Sequence, residues 1–398
     1  MTPPLPLDEA QRRLLALASP LGGEMVPTEQ LVGRYLAAEI RARRTQPAAD
    51  LSAMDGYAVA GDGPWQVVGE SAAGRPFLGG LAPGLAIRIS TGALMPAGAN
   101  AVLLQEEADR EGDSLAVVPD GEASPRHVRR RGFDFAAGDA LLGAGAHVGP
   151  AQLALVLAAG HGGRLVEAGR LPRLAVIDSG DELIAAAGEW DDHRLPASNG
   201  AMIAAMAAPL AAAVERLGPV PDRMDALAEA LRRAERADVV VTTGGASVGD
   251  HDLVRPALEA WGATIEFWRV AMKPGKPILF ARRGEQWILG LPGNPVSSYV
   301  TALLFLLPLL RRLAGATRCL PSMMLARAER ALAAGGPRLE LVRARLTDGI
   351  VAPLGEQDSS ALRALAAANA LIVRPIGAPA VPAGGDVPVI PLDNGGIA

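Results

Sequence analysis

Between residues 171 and 312, short apolar runs alternate with amphipathic stretches. No other feature of the 398-residue chain constrains its fold as strongly. Leu174-Ala175-Val176-Ile177 reads as a buried strand, as does Asp238-Val239-Val240-Val241-Thr242. Between them the sequence predicts a long Ala-rich helix capped by Ser198-Asn199 and running to Leu217, then a second over 222–236. A helix over 252–261, strands near 264–270, 277–281 and 287–291, and a last helix starting after Pro295 continue the pattern. Strands separated by helices suit crossover connections, so the region reads as a doubly wound, mostly parallel α/β sheet with helices on both faces.

The flanks have different textures. Residues 7–18 carry helical periodicity with Asp8 and Glu9 in the first turn, and a second helix is expected over 29–39. From Pro47 to about Asp134 short apolar pieces are punctuated by glycine and proline, the pattern of a small β-rich domain. Helical spacing returns at Pro150. Beyond Pro321, strand-like 339–346 and 387–390 flank a short helix near 359–368, which predicts a small β-rich C-terminal domain. No internal repeat is visible.

Composition narrows the function. With 38 basic against 43 acidic residues the net charge is −5, which argues against a general nucleic-acid binder. A lone cysteine, Cys319, rules out an intrachain disulfide and suits a reducing cytoplasm. The strongest apolar run, 302–310, is half a bilayer in length and contains Pro308, so it reads as a buried helix and no membrane partner is expected.

In an open α/β sheet, ligands bind beyond the carboxyl ends of the strands. Three segments are expected there: Ser179-Gly180-Asp181-Glu182, Gly244-Gly245-Ala246-Ser247-Val248-Gly249-Asp250, and Pro292-Gly293-Asn294-Pro295-Val296-Ser297. Glycines bring backbone N–H groups close to an anion, and a following helix N-terminus adds positive potential. Each segment alone is most often a turn; three on one rim point to a phosphate-bearing ligand. Met272-Lys273-Pro274-Gly275-Lys276-Pro277 adds two lysines, with a surface turn as an equally weighted reading. Carboxylates Asp181, Glu182, Asp250 and Asp252 suit phosphates only with a hard cation between them; helix capping is the simpler reading of Asp250 and Asp252.

Other chemistries fail. Gly245-Ala246-Ser247-Val248-Gly249 matches a nucleophile elbow, but no histidine follows His251, so the required triad order is absent. His127, His147, His161 and His193 lack metal-ligand spacing. No Walker-type loop or Gly-x-Gly-x-x-Gly occurs. In the β-rich region, Ser52-Ala53-Met54-Asp55-Gly56-Tyr57 and the glycine-rich loop 90–100 are more polar than a core requires. Residues 126–134 concentrate four arginines, a solvated face or an anion receiver.

Taken in order, the segments around Asp55, Thr91, 129–134, Asp181, 244–250, 273–277 and 292–297 resemble the signatures of the MoeA family of molybdopterin molybdenumtransferases, with the related E domain of gephyrin. The resemblance spans nearly the whole chain. It implies an elongated domain from 1–45 and 138–170, an inserted β-rich domain over 46–137, an α/β molybdopterin-binding domain over 171–316, and a C-terminal β-barrel over 317–398. It also implies a homodimer with each cleft shared between subunits. The implied reaction inserts molybdate into adenylated molybdopterin, with Mg²⁺-dependent release of AMP.

By the same resemblance Asp55, Thr91 and Asp134 form the inserted-domain side of the cleft. Asp181, Glu182 and Asp250 supply carboxylates for metal binding or water activation. Ser179, Gly180, Gly244, Gly245, Ser247, Gly249, Lys273, Lys276, Pro292, Gly293, Asn294 and Ser297 hold substrate oxygens. The chain departs from the family pattern at Asp178, which is expected to add a charge near the anion site, and at Phe133, often acidic. Two alternatives compete: a catalytically weak carrier or scaffold, and a molybdopterin adenylyltransferase. The latter leaves 1–165 and 320–398 unexplained. Molybdoenzymes and an adenylyltransferase are the implied protein partners.

Overall fold

The structure, a computed structural model, describes residues 4–185, 192–244, 253–275 and 278–392. Its central sheet has the order Ala213–Val220, Arg173–Ser179, Val239–Thr243, Gln286–Leu291, Ile278–Arg283, Thr264–Trp268. The first four strands are parallel, Ile278–Arg283 runs antiparallel to them, and Thr264–Trp268 pairs antiparallel with Ile278–Arg283. Side chains alternate across it with period two. Leu174, Val176, Val239, Val241 and Leu289 enter one core, while Ala175, Ile177, Val240 and Ile288 enter another on the opposite face. Helices Asn199–Ala207 and Pro295–Thr301 cover the first face, Met224–Arg233 and Val254–Ala260 the second. From Arg173–Ser179 the chain steps outward to Ala213–Val220 and then returns past its start to Val239–Thr243. That reversal places a topological switch point at the carboxyl ends of Arg173–Ser179 and Val239–Thr243.

The helix expected to reach Leu217 ends at Ala207, and Ala213–Val220 is the edge strand of the sheet. Pro209 tightens the chain into a 3-10 turn, Ala208–Leu210, and parallel pairing with Arg173–Ser179 overrides alanine's helix propensity. The helix expected over 29–39 is also absent: only a 3-10 turn, Thr28–Gln30, forms. Gly33 takes φ +85°, and Tyr35 and Leu36 bridge to His147 and Ala168 instead.

The apolar run after Pro295 continues as helix to Leu313, and 83% of its most apolar window is buried. Pro308 sits inside it, and a wider turn, Ala302–Leu306, accommodates the ring. Pro308 has no N–H to give the Leu304 carbonyl; the buried amide of Gln11 Nε2 donates to that oxygen at 2.8 Å. Gln11 belongs to the N-terminal helix Leu7–Leu17, whose Ala10 and Leu14 are buried in the same core as the sheet. Gln11→Leu is therefore expected to destabilise by about 1–3 kcal/mol in urea unfolding, because a buried carbonyl loses its donor. No change would contradict the pairing.

The elongated part pairs Gly23–Pro27 with Leu165–Gly169 and Ile40–Arg41 with Ala140–Leu142. Between its halves a six-stranded sheet has its own two cores, around Tyr57, Trp65 and Leu103 and around Ile87, Ile89 and Val102. At the C-terminus Leu339–Thr347, Ile350–Pro353, Met324–Ala328, Asp386–Pro391 and Ala370–Arg374 close into a five-stranded barrel. Met272–Lys273 joins its edge beside Leu339 and Glu340, so the lysine segment lies between sheet and barrel.

Candidate functional site

Three glycine-bearing loops meet at the switch point because their backbones crowd one another. Gly244 (φ +119°) donates its N–H to Leu291 O at 3.0 Å, and a Cβ there would stand 3.0 Å from Ser179 O. Gly293 lies against the Gly244 Cα on the other side. Gly180 donates to Val220 O at 3.1 Å, tying the first loop to the edge strand. The Asn199 amide reaches across and donates to Gly293 O at 2.6 Å, while its Oδ1 is buried without a partner. Ser298 Oγ holds Pro292 O, and Ser297 is buried beside it in the first turn of its helix. The structure thus gathers Ser179, Gly180, Gly244, Pro292, Gly293, Asn294 and Ser297 at one rim. Gly245, Ser247, Gly249, Asp250 and Lys276 lie outside the described residues, as does Asp252.

Asp178 overturns the expectation that it crowds the anion site. It is 3% exposed. Its Oδ1 accepts the Gly200 N–H at 2.8 Å and the Thr243 hydroxyl, and a Cβ on Gly200 would overlap the carboxylate. Ser198, the expected cap, makes no side-chain cap bond. Asp178 therefore caps the helix Asn199–Ala207 from the neighbouring strand, where its charge meets the helix's positive end. By fixing Gly200 it also positions Asn199 and, through it, the Gly293 loop.

Asp181 and Glu182 are exposed at the mouth. Asp181 Oδ1 accepts the Asp222 N–H at 3.0 Å, which brings a third carboxylate to the pair. Burial raises the Asp222 pKa above the usual carboxylate range, and the charges of Asp181 and Glu182 push it further, against a hydrogen bond from Asp181. The sequence reading missed Asp222, whose only signal is its place just past the strand beside Arg173–Ser179. A raised native pKa means its contribution to stability is present below the unfolded carboxylate pKa and is lost as pH rises through the native one. Asp222→Asn is expected to raise the urea midpoint at pH 7 and to match the parent as the carboxylate becomes protonated. An equal difference at every pH would contradict this.

Lys273 is exposed on its short strand, and Gly275 (φ +116°) packs onto Thr301 of the site helix. The barrel reaches the rim as well. Val296 donates its N–H to Ser359 O at 3.1 Å, an N-terminal helix donor satisfied by the barrel. Arg343, 1% exposed, donates through Nη2 to Glu356 O at 3.1 Å and Asp358 O at 2.9 Å, fixing that loop. Gln357 completes the clamp on the Arg343 backbone. Sequence reading found neither Arg343 nor the loop, because a lone arginine in a strand carries no motif.

On the inserted sheet, the Thr91 N–H donates to Asp55 Oδ1 at 2.7 Å. Both side chains are exposed where Leu51–Ser52 pairs with Val128–Arg129 and Ser52 O accepts the Gly92 N–H. Asp134 is exposed five residues beyond that strand, after a turn closed by Phe133 N–H to Arg130 O. Phe133 is 74% exposed. Part of the arginine cluster is structural: Arg130 Nη1 and the Arg131 N–H bond Asp50 at 2.7 and 2.8 Å, holding its pKa below the usual range. Among the described residues no three His, Cys, Asp or Glu side chains converge as a metal cluster.

A switch point with glycine-bearing strand ends, in a chain that also carries an inserted sheet and a C-terminal barrel, defines a multidomain α/β protein. Family models match in order along the chain. They are the MoeA N-terminal region (domain I and II) over 5–160, a "Probable molybdopterin binding domain" over 175–312, and the MoeA C-terminal region (domain IV) over 326–392. The chain belongs to the MoeA family, whose curated relatives are called molybdopterin molybdenumtransferase. The relative from Haemophilus influenzae is 34% identical over 78% of each chain. That from Nostoc sp. is 34% identical over 90% of this chain and 86% of its own. A crystal structure of a molybdopterin biosynthesis MoeA protein from Pyrococcus horikoshii superposes with a TM-score of 0.82 at 26% identity, covering 98% of this chain and 100% of that one.

Proposed function

We propose that the chain is a molybdopterin molybdenumtransferase of molybdenum cofactor biosynthesis, inserting molybdate into adenylated molybdopterin. The observation that carries this is the packed rim of Ser179, Gly244 and Gly293 at the switch point, in a chain matched in order by the three MoeA family models. Lys273 and the Ser297 hydroxyl suit phosphate and molybdate oxygens, while the Gly180, Gly244 and Val296 N–H groups, committed to the Val220, Leu291 and Ser359 carbonyls, hold the loops around them.

Mg²⁺ fits the donors on this rim, since it takes one or two carboxylates together with substrate phosphates and water. Asp181 and Glu182 would hold it, with Asp250 a third candidate. When bound, the cation neutralises charge developing on the phosphoanhydride. On the protein's side, the rim binds the adenylate, Asn199 orients the Gly293 loop, and Glu182 or Asp250 takes a proton from the water that attacks the phosphoanhydride, so that its P–O bond breaks and AMP leaves. The two dithiol sulfurs of the pterin bond molybdenum as one molybdate oxygen leaves with their two protons as water.

Asp55, Thr91 and Asp134 would complete the cleft from a second subunit of a homodimer in the cytoplasm. Their sheet has cores separate from those of the α/β sheet, which suits delivery from another chain. Mixing Asp55→Ala with Glu182→Ala chains is expected to restore activity to the fraction of heterodimers carrying one intact cleft. Verified heterodimers with no activity would place the whole site in one subunit. Of the two departures that support the carrier reading, Asp178 and Phe133, Asp178 is taken up in the helix cap, while Phe133 stays exposed on the inserted domain.

A further inference from the structure

A cavity of ≈ 650 Å³ opens where the elongated part, the α/β domain and the segment leading to the barrel meet. Arg311 and Arg318 line it together with Tyr35 and His147, and no Asp or Glu does. The Tyr35 and His147 rings are tilted together with centroids 5.1 Å apart. Met206, Leu210 and Leu303 supply an apolar wall. Arg311 is half-buried and donates through Nη1 to Cys319 O at 3.1 Å; the Tyr35 hydroxyl is also within its reach. Neither arginine forms an ion pair among the described residues.

A guanidinium partly withdrawn from water and left without a counter-charge is costly, and its planar fork matches carboxylate or phosphate oxygens. The apolar wall and the aromatic pair are wasted on a bare inorganic anion. Arg311 stands near the end of the Pro295–Leu313 helix opposite Ser297, about 21 Å along its axis at 1.5 Å per residue, so this is a place apart from the crevice. We propose that the cavity binds an organic anion, a carboxylate or phosphate ester on an aromatic or aliphatic body, with the charge at Arg311 and Arg318 and the body against Tyr35 and Met206.

The test titrates the full-length protein calorimetrically with phenyl phosphate, benzoate, inorganic phosphate and phenol. Phenyl phosphate or benzoate is expected to bind saturably, and the stronger of the two assigns the headgroup. Phenol and inorganic phosphate are expected to bind about tenfold or more weakly. Arg311→Met should weaken binding about tenfold, as loss of a charge-assisted pair does. Arg318→Met, at an exposed position that leaves the fold intact, should weaken it in the same direction. Lys273→Met, on the strand beside Glu340 of the barrel, should leave it unchanged. Absence of saturable binding, binding indifferent to both arginine variants, or binding lost with Lys273 would overturn the proposal.

Discussion

Asp178→Ala is expected to lower the stability of the α/β domain by about 3 kcal/mol in urea unfolding. The loss has two sources in one place. The substitution leaves the buried Gly200 N–H and Thr243 hydroxyl without an acceptor, and it removes the negative charge at the end of the Asn199–Ala207 helix. Asp178→Asn keeps an acceptor oxygen and removes only the charge, so its loss should be about 1 kcal/mol. Because Asn199 adjoins Gly200 and grips Gly293 O, the alanine variant should also weaken binding of the adenylated pterin. An alanine variant as stable as the parent would show that the carboxylate is not the cap.

Arg343→Met is the second large effect. It fills the volume but leaves the Glu356 and Asp358 carbonyls without their buried donor, costing about 2–4 kcal/mol. The consequence reaches the site through one hydrogen bond. With the 356–360 loop loosened, the Val296 N–H loses its hold on Ser359 O and should exchange with deuterium faster than in the parent. Arg343→Lys, with its charge kept but its fork lost, should recover only part of the protection. Unchanged exchange at Val296 would separate the barrel from the crevice.

The alternation that organises the α/β domain was legible because its strands are buried on both faces and rich in valine and isoleucine. Ala213–Val220 was not, because its edge position and alanine-rich approach resemble the helix before it. The barrel strands Met324–Ala328 and Ile350–Pro353 were missed because they are short and closure holds them, whereas Ala370–Arg374, with its buried Leu371-Ile372-Val373, carried a strand signal that went unread. At the site, glycines after strands could be read from order alone. Asp178 was misjudged because sequence places it beside Ser179, whereas the pleat of the strand turns consecutive side chains to opposite faces. Asp222, Asn199 and Arg343 act through partners distant in sequence; local pattern marks Asn199 and Asp222 only as helix starts, and nothing local marks Arg343.

The central claim is tested most directly by following AMP released from adenylated molybdopterin by the purified protein and Mg²⁺, with and without molybdate. The account predicts release that depends on molybdate and falls steeply in Glu182→Gln. A folded protein that binds the adenylate yet releases no AMP, or releases it equally without molybdate, would contradict it.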